Sequence, residues 1–206
     1  MLSIKSGDLS KIRSAEVLLI GCSAGGFNLI FNLILKLPKD FPVPVVVIIH
    51  RGRKYKSSIE ELLNSKANVK VKIAEDKETM RPGYVYFAPA DYHLLLEPEG
   101  LFSLDFSEPV LFCRPSIDTT FQSVSDVWGD KVMAVLLSGA NSDGAEGASY
   151  VKKNKGLVMV QDPECAEVRT MPEAAINKCR VDYVLKNDQL FEMTDQIYRI
   201  KRSGKS

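Results

Sequence analysis

From Glu16 onward, short apolar runs ended by glycine or a polar residue alternate with stretches whose apolar positions recur at helical spacing. Glu16-Val-Leu-Leu-Ile20 is stopped by Gly21 and followed by a predicted helix from Ala24 to Leu37, closed by Pro38. That helix carries Phe27, Leu29, Ile30, Phe31, Leu33 and Ile34, with Asn28 and Asn32 as a polar stripe, and is expected to be largely buried. Val43 to Ile49 is nearly continuous Val and Ile, the pattern of a parallel strand covered on both faces, and it ends at His50. After a basic loop (Arg51, Arg53, Lys54, Lys56), Ser57 is placed to cap a short helix to about Asn64, and Val69 to Ile73 reads as a third strand.

The rhythm then changes. Tyr84 to Phe87, Tyr92 to Leu96 and Leu101 to Asp105 are short runs separated by turn residues, which together read as an antiparallel hairpin excursion. Helix Ser116 to Trp128, strand Lys131 to Leu137, helix Gly144 to Lys153, strand Leu157 to Gln161, helix Pro172 to Lys178, strand Asp182 to Leu185 and a helix from Asp188 to Ile200 complete the pattern. The expected class is α/β: a three-layer, doubly wound, mainly parallel sheet with a small antiparallel hairpin excursion. Residues 1–206 are expected to form a single domain, with a short N-terminal lead over 1–15 and a frayed tail over 201–206.

Composition narrows the function classes. Lys+Arg of 27 against Asp+Glu of 26 gives a formal net charge of +1, so no global field favours nucleic acid or an anionic membrane, and charged recognition must be local. Four Cys, at positions 22, 113, 165 and 179, form no CxxC pair and no Cys/His metal spacing, so reduced thiols and a cytoplasmic chain are expected, with neither metal nor cofactor. Charges in Met1 to Arg13 leave no signal-peptide core, and no apolar run approaches the ~20 residues that span a bilayer, so no membrane insertion is expected.

In an open parallel sheet, ligands bind beyond the carboxyl ends of the strands. Three strand ends carry reactive residues: Gly21-Cys-Ser-Ala-Gly-Gly26, His50, and Ser138-Gly-Ala-Asn-Ser-Asp-Gly144. As a dinucleotide fingerprint the first fails, because Ser23 stands where backbone must approach pyrophosphate and His50 stands where a ribose-binding carboxylate belongs. As G-x-S-x-G it is a nucleophile elbow, a tight strand-to-helix turn that exposes the Ser23 hydroxyl beside main-chain amides. The chain has two histidines, and His50 at a strand end is the better base for Ser23, while His93, early in a strand, reads as structural. Asp143 is the candidate orienting carboxylate, although an aspartate there is more commonly a plain helix cap for the helix starting at Gly144. Ser23 could likewise be a cap and His50 a satisfied core residue.

These residues carry a resemblance. The chain, from about Glu16 to Tyr198, resembles the catalytic domain of the CheB family of chemotaxis protein-glutamate methylesterases. The matching segments are Gly21 to Gly26, Ile49-His50, Met80 to His93, Arg114-Pro-Ser-Ile-Asp118, Leu137 to Ala145, and Gln161 to Ala166 with Met171-Pro172. The resemblance implies hydrolysis of glutamate γ-methyl esters on a chemoreceptor or receptor-like helical protein, with glutamine deamidation in many members. The family's nucleophile falls on Ser23, its base on His50 and its carboxylate on Asp143, with Ala24, Ala140 and Asn141 as oxyanion donors or substrate lip. Implied partners are the methylated receptor, a methyltransferase or a hybrid kinase; nucleic acid is not among them. Members usually carry a phospho-accepting receiver ahead of this domain, whereas about fifteen residues precede the first strand here, so control by an attached receiver is not expected. Gly139-Ala-Asn141 replaces the family's common Gly-Met-Gly, and the basic loop from Arg51 to Lys56 stands at the expected rim of the site. The alternative is a non-catalytic signalling or binding module on the same fold.

Overall fold

The structure, a computed structural model, describes residues 2–50 and 59–203; the basic loop from Arg51 to Lys56 and the cap expected at Ser57 lie outside the described residues. Among the described residues, seven strands form one sheet in the order β3 (Lys70–Ile73), β4 (Tyr84–Phe87), β2 (Val45–Ile49), β1 (Val17–Cys22), β7 (Val132–Leu136), β8 (Leu157–Gln161), β9 (Tyr183–Leu185). Every pairing in it is parallel. A separate antiparallel pair joins β5 (His93–Leu96) to β6 (Phe102–Asp105).

The two faces of the sheet are apolar because its central strands are apolar at every position. Leu18, Ile20, Val45, Val47, Val85, Phe87, Met133 and Met159 point to one side, where α1 (Ser6–Ser14), α2 (Phe27–Lys36), α3 (Ile59–Lys66) and α7 (Asn187–Ser203) cover them with Ile12, Ile30, Leu33, Leu63, Met193 and Ile197. Val17, Leu19, Val46, Ile48, Tyr86, Ala134, Leu136 and Val160 point to the other, beneath the β5–β6 hairpin, α4 (Ile117–Trp128), α5 (Ala145–Lys153) and α6 (Thr170–Lys178). Period-2 alternation between two buried faces is what a continuous Val/Ile/Leu run encodes.

Three expectations need correction. Tyr84–Phe87 is no part of the antiparallel excursion: it pairs parallel with both β2 and β3, Val45 facing Val85 and Lys70 facing Tyr84. The reason lies in its side chains, since Val85 and Phe87 fill one core and Tyr86 the other, which only an interior strand can do. The lead over 1–15 contains a helix, α1, whose polar sequence has little periodic signal; it is held by Ile12, fully buried, and by bonds of Tyr183 to it, the phenol donating to Asp8 (2.9 Å) and accepting from the Lys5 N–H (3.0 Å). At the other end α7 continues through Ser203, past the expected start of the frayed tail.

The strand order reverses direction between β1 and β7: from β1 the chain moves outward through β2, and from β7 it moves the opposite way through β8. Connections leaving in opposite directions open a crevice at their carboxyl ends. Ser23 follows β1, His50 follows β2, and the 138–143 segment follows β7.

Candidate active site

The turn after β1 is shaped by its glycines. Gly25 has φ of +76°, and a Cβ there would lie 2.6 Å from Glu167 Cβ and 2.7 Å from Ser138 Oγ. A Cβ on Gly21 would lie 2.5 Å from Ile117 Cγ2. Both fixed glycines of G-x-S-x-G therefore answer to sterics, one to a left-handed turn and one to close packing.

The loop is then pinned through Ser138, which is fully buried. Its carbonyl accepts from the Ser23 N–H at 2.9 Å. Its hydroxyl donates to the Ala24 carbonyl at 2.7 Å and accepts from the Val168 N–H at 2.9 Å, and its own N–H donates to Gln161 Oε1 at 2.8 Å. One serine thus ties the elbow after β1, the loop after β7 and the loop before α6 together.

His50 continues the β1–β2 ladder, its N–H donating to the Cys22 carbonyl at 3.3 Å, which sets it beside the residue preceding Ser23. Its Nε2 lies 2.7 Å from Asp143 Oδ2, and the Asp143 side chain is wholly buried. Asp143 is not the cap of the helix that follows it. Its Oδ1 accepts from Ser116 Oγ (2.9 Å) and the Asp118 N–H (3.0 Å), and its Oδ2 accepts from the Ile117 N–H (2.7 Å) as well as from His50. The carboxylate therefore caps α4, across the site, and the favourable N-terminal end of that helix faces its charge. Asp118, in the first turn of α4, returns the arrangement: its Oδ1 accepts from the Gly144 and Gly147 N–H groups at 2.8 and 2.7 Å and caps α5.

The electrostatics follow. Burial works to raise the Asp143 carboxyl, but the bonds from His50 and from the Asp118 and Ile117 amides outweigh it and hold it below its ordinary value. Burial likewise disfavours a charged His50, yet the Asp143 carboxylate and Cys113 raise the imidazole to about 9. Asp118 goes the other way, pushed up to about 6 by burial and by the neighbouring Asp143 charge, against the pull of the two glycine amides.

An ionised Asp143 accepting at Nε2 places the proton of neutral His50 on that nitrogen and leaves Nδ1 as the basic lone pair. Facing Nδ1 at 3.4 Å is Cys113 Sγ, which also accepts from Asn141 Nδ2 at 3.2 Å. The Asn141 Oδ1 accepts from the Asp143 N–H at 3.3 Å, so this side chain braces the loop. Ser23 is partly buried on the neighbouring turn, Ala24 and Ala140 are exposed, and no hydrogen bond joins Ser23 to His50 among the described residues. His50, Cys113 and Asp143 each offer a metal-capable atom within 4.8 Å of the others. Because both Asp143 oxygens are engaged, only Nδ1 and Sγ remain, half of a tetrahedral ligand set. His93 is fully buried between the Ser116 N–H, donating to Nδ1 at 3.2 Å, and the Glu108 carbonyl, 3.1 Å from Nε2.

The model of the family described as CheB methylesterase matches residues 18–194. The chain belongs to the CheB methylesterase family. By class it is therefore a methylesterase, a carboxylic-ester hydrolase. A Leptospira interrogans protein is 44% identical over 178 residues, covering 86% of this chain and 92% of that one. A Thermotoga maritima protein-glutamate methylesterase/protein-glutamine glutaminase is 38% identical over 175 residues, 84% of this chain but 51% of the relative, so the chain spans about half of that longer protein. The crystal structure of the Thermotoga maritima CheB methylesterase catalytic domain superposes with a TM-score of 0.82 at 34% identity, covering 90% of this chain and 98% of that domain.

Ser116, Asp118, Cys113 and Ser138 received no role from the sequence. Ser116 with Asp118 two residues on is a helix-start signature, and Ser116 does cap α4, accepting from the Thr119 N–H at 3.3 Å. The pattern could point to a cap; it could not show that the cap extends to a carboxylate 27 residues away.

Proposed function

We propose that this chain hydrolyses glutamate γ-methyl esters on a chemoreceptor-like helical protein in the cytoplasm, residues 1–206 acting as one catalytic unit with Ser23 as nucleophile, His50 as base and Asp143 as its orienting carboxylate. One observation carries the reading: a buried, four-bonded Asp143 carboxylate engages Nε2 of His50 and leaves its Nδ1 as the basic nitrogen, at the strand end beside the G-x-S-x-G turn.

His50 Nδ1 takes the Ser23 hydroxyl proton as Oγ attacks the ester carbonyl. The tetrahedral oxyanion is bound by main-chain amides of Ala24 and of the Ala140–Asn141 segment. Collapse breaks the C–O bond to the methoxy group, which leaves as methanol with the proton from His50. Water, deprotonated by the same imidazole, then attacks the acyl-enzyme, and the glutamate carboxylate and Ser23 are regenerated. A glutamine side chain entering the same cycle would release ammonia in place of methanol, as the name of the Thermotoga relative suggests. The four free cysteines suit a reducing compartment, and among the described residues no helix is long and apolar enough to cross a membrane.

A second reading has one observation in its favour: Cys113 Sγ, not Ser23 Oγ, lies against Nδ1, so the thiol could supply the attacking atom. Methanol release from a methylated receptor fragment separates the two. On the serine mechanism Ser23→Ala is inactive and Cys113→Ala active; the converse result assigns the attack to sulfur, and full activity in both removes the nucleophilic mechanism.

A further inference from the structure

Val110 and Cys113 exchange main-chain hydrogen bonds, Val110 N–H to Cys113 O at 3.1 Å and Cys113 N–H to Val110 O at 2.8 Å. Leu111 and Phe112 are thus the two central residues of a tight hairpin turn, with φ of 47° and 63°. Both lie in the left-handed region that a type I′ turn demands and that Asn and Gly, not Leu and Phe, adopt readily. Nothing inside the fold compensates for the choice, since Phe112 is fully exposed and Leu111 about half exposed. The turn is nevertheless held firmly. Arg114 donates to the Phe106 and Ser107 carbonyls at 3.1 and 2.7 Å, and its guanidinium lies 3.9 Å from the centre of the Phe106 ring, which in turn meets Tyr92 at 5.6 Å. Tyr92, Phe106, Val110, Leu111 and Phe112 are all markedly exposed. They form an apolar rim directly attached to Cys113, which touches His50.

We propose that the Leu111–Phe112 turn is the knuckle by which this enzyme recognises its protein substrate, packing on apolar side chains that flank the esterified residue on a helical surface. The inference rests on the hydrolase reading above and names the recognition surface for it. A small ester at His50 would meet Cys113 and Asn141; side chains projecting into solvent from the turn can be reached only by a substrate whose surface extends past the ester. A second copy of this chain fits less well. Phe112, fully exposed, offers roughly 200 Å² and half-exposed Leu111 about half of that, well short of the ~800 Å² per partner of a stable interface. A contact of that size suits transient engagement during turnover.

The test replaces Leu111→Asn together with Phe112→Gly, the pair best suited to a type I′ turn, so the hairpin is retained while its apolar surface is removed. kcat/KM is measured for wild type and variant on a chemoreceptor cytoplasmic fragment bearing radiolabelled γ-methyl esters and on N-acetylglutamate γ-methyl ester, with urea unfolding as the check on folding. The expected result is a fall in the ratio of the two kcat/KM values of roughly ten- to a hundredfold, carried by KM, as for loss of one buried aromatic contact. An unchanged ratio overturns the proposal. So does an unchanged ratio with wild-type self-association, seen by sedimentation, that the variant abolishes, because the turn is then a self-contact. Wild-type inactivity on both esters overturns the hydrolase reading, and this proposal with it.

Discussion

Two aspartates cap each other's helices at the site, and replacing each by asparagine should have opposite consequences. In Asp143→Asn the amide has no comfortable orientation. With its NH2 in the Oδ1 position it meets the Asp118 N–H; in the Oδ2 position it meets the Ile117 N–H and the His50 Nε2 proton. Either way a main-chain donor faces a donor in a fully buried place. The loss combines an unsatisfied amide, about 1–3 kcal/mol, with weakened charge-assisted bonds of similar size, so a destabilisation of about 2–4 kcal/mol is expected. For a chain of this length that lowers Tm by roughly 5–15 °C. In Asp118→Asn the outcome differs. The carbonyl oxygen keeps both bonds, from Gly144 and Gly147, while the NH2 lies beside the Asp143 charge. It also removes a carboxylate that burial opposes, so stability should stay within about 1 kcal/mol of wild type. The pH dependence carries a second signature. A folded-state value for Asp118 raised to about 6 means that the native state holds its proton longer than the unfolded chain. Wild-type stability attributable to this group therefore falls as pH rises from the ordinary carboxylate range through about 6, and Asp118→Asn removes that slope. Urea unfolding at several pH values from 4 to 8 reads both effects. Equal destabilisation by the two substitutions, or a wild-type-like Asp143→Asn, would refute the reciprocal-cap argument.

The remaining predictions concern the chemistry and the turn. Ser23→Ala should lose on the order of 10³-fold or more in ester turnover while unfolding as wild type does, checked by methanol release and circular dichroism. With His50 raised to about 9, kcat/KM should climb with pH through an ionisation well above the ordinary imidazole value, and Cys113→Ala should move that midpoint toward acid, since Cys113 contributes to the rise. The same shift makes protonated His50 a source of stability that is complete below the ordinary imidazole value and is lost as pH rises through about 9; a His50→Gln variant should lack that loss in urea titrations. Gly25→Ala, forced to hold φ of +76° with its Cβ 2.7 Å from Ser138 Oγ, should destabilise by about 1–3 kcal/mol and reduce turnover, measured by thermal unfolding and methanol release.

The strand ends were legible because continuous apolar runs leave no ambiguity about where a buried strand stops; Ser23 and His50 stand immediately beyond such runs, and Asp143 lies in the loop that follows β7. Tyr84–Phe87 was misread because a four-residue strand next to a hairpin carries no local mark of its partners; its placement is decided by Val85, Tyr86 and Phe87 filling both cores at once. Helix α1 escaped notice because a single buried Ile12 gives no periodicity and its support comes from the distant Tyr183. The bonds that hold Asp143 were illegible for the same physical reason: Ser116, Ile117 and Asp118 reach it through space, and cap spacing in sequence describes only a helix's own neighbours. Cys113 showed no pattern at all, since a lone thiol is given meaning by the imidazole it meets.

Asp143 serves two masters, the imidazole of His50 and the start of α4. In a descendant that had abandoned ester hydrolysis, selection on foldedness alone would keep this aspartate in place, together with Ser116 and Asp118. Ser23, whose hydroxyl bonds nothing among the described residues, would be released to drift. A relative of this chain is therefore better judged active or defunct by the residue in the turn after β1 than by survival of the acidic residue, whose presence testifies first to architecture.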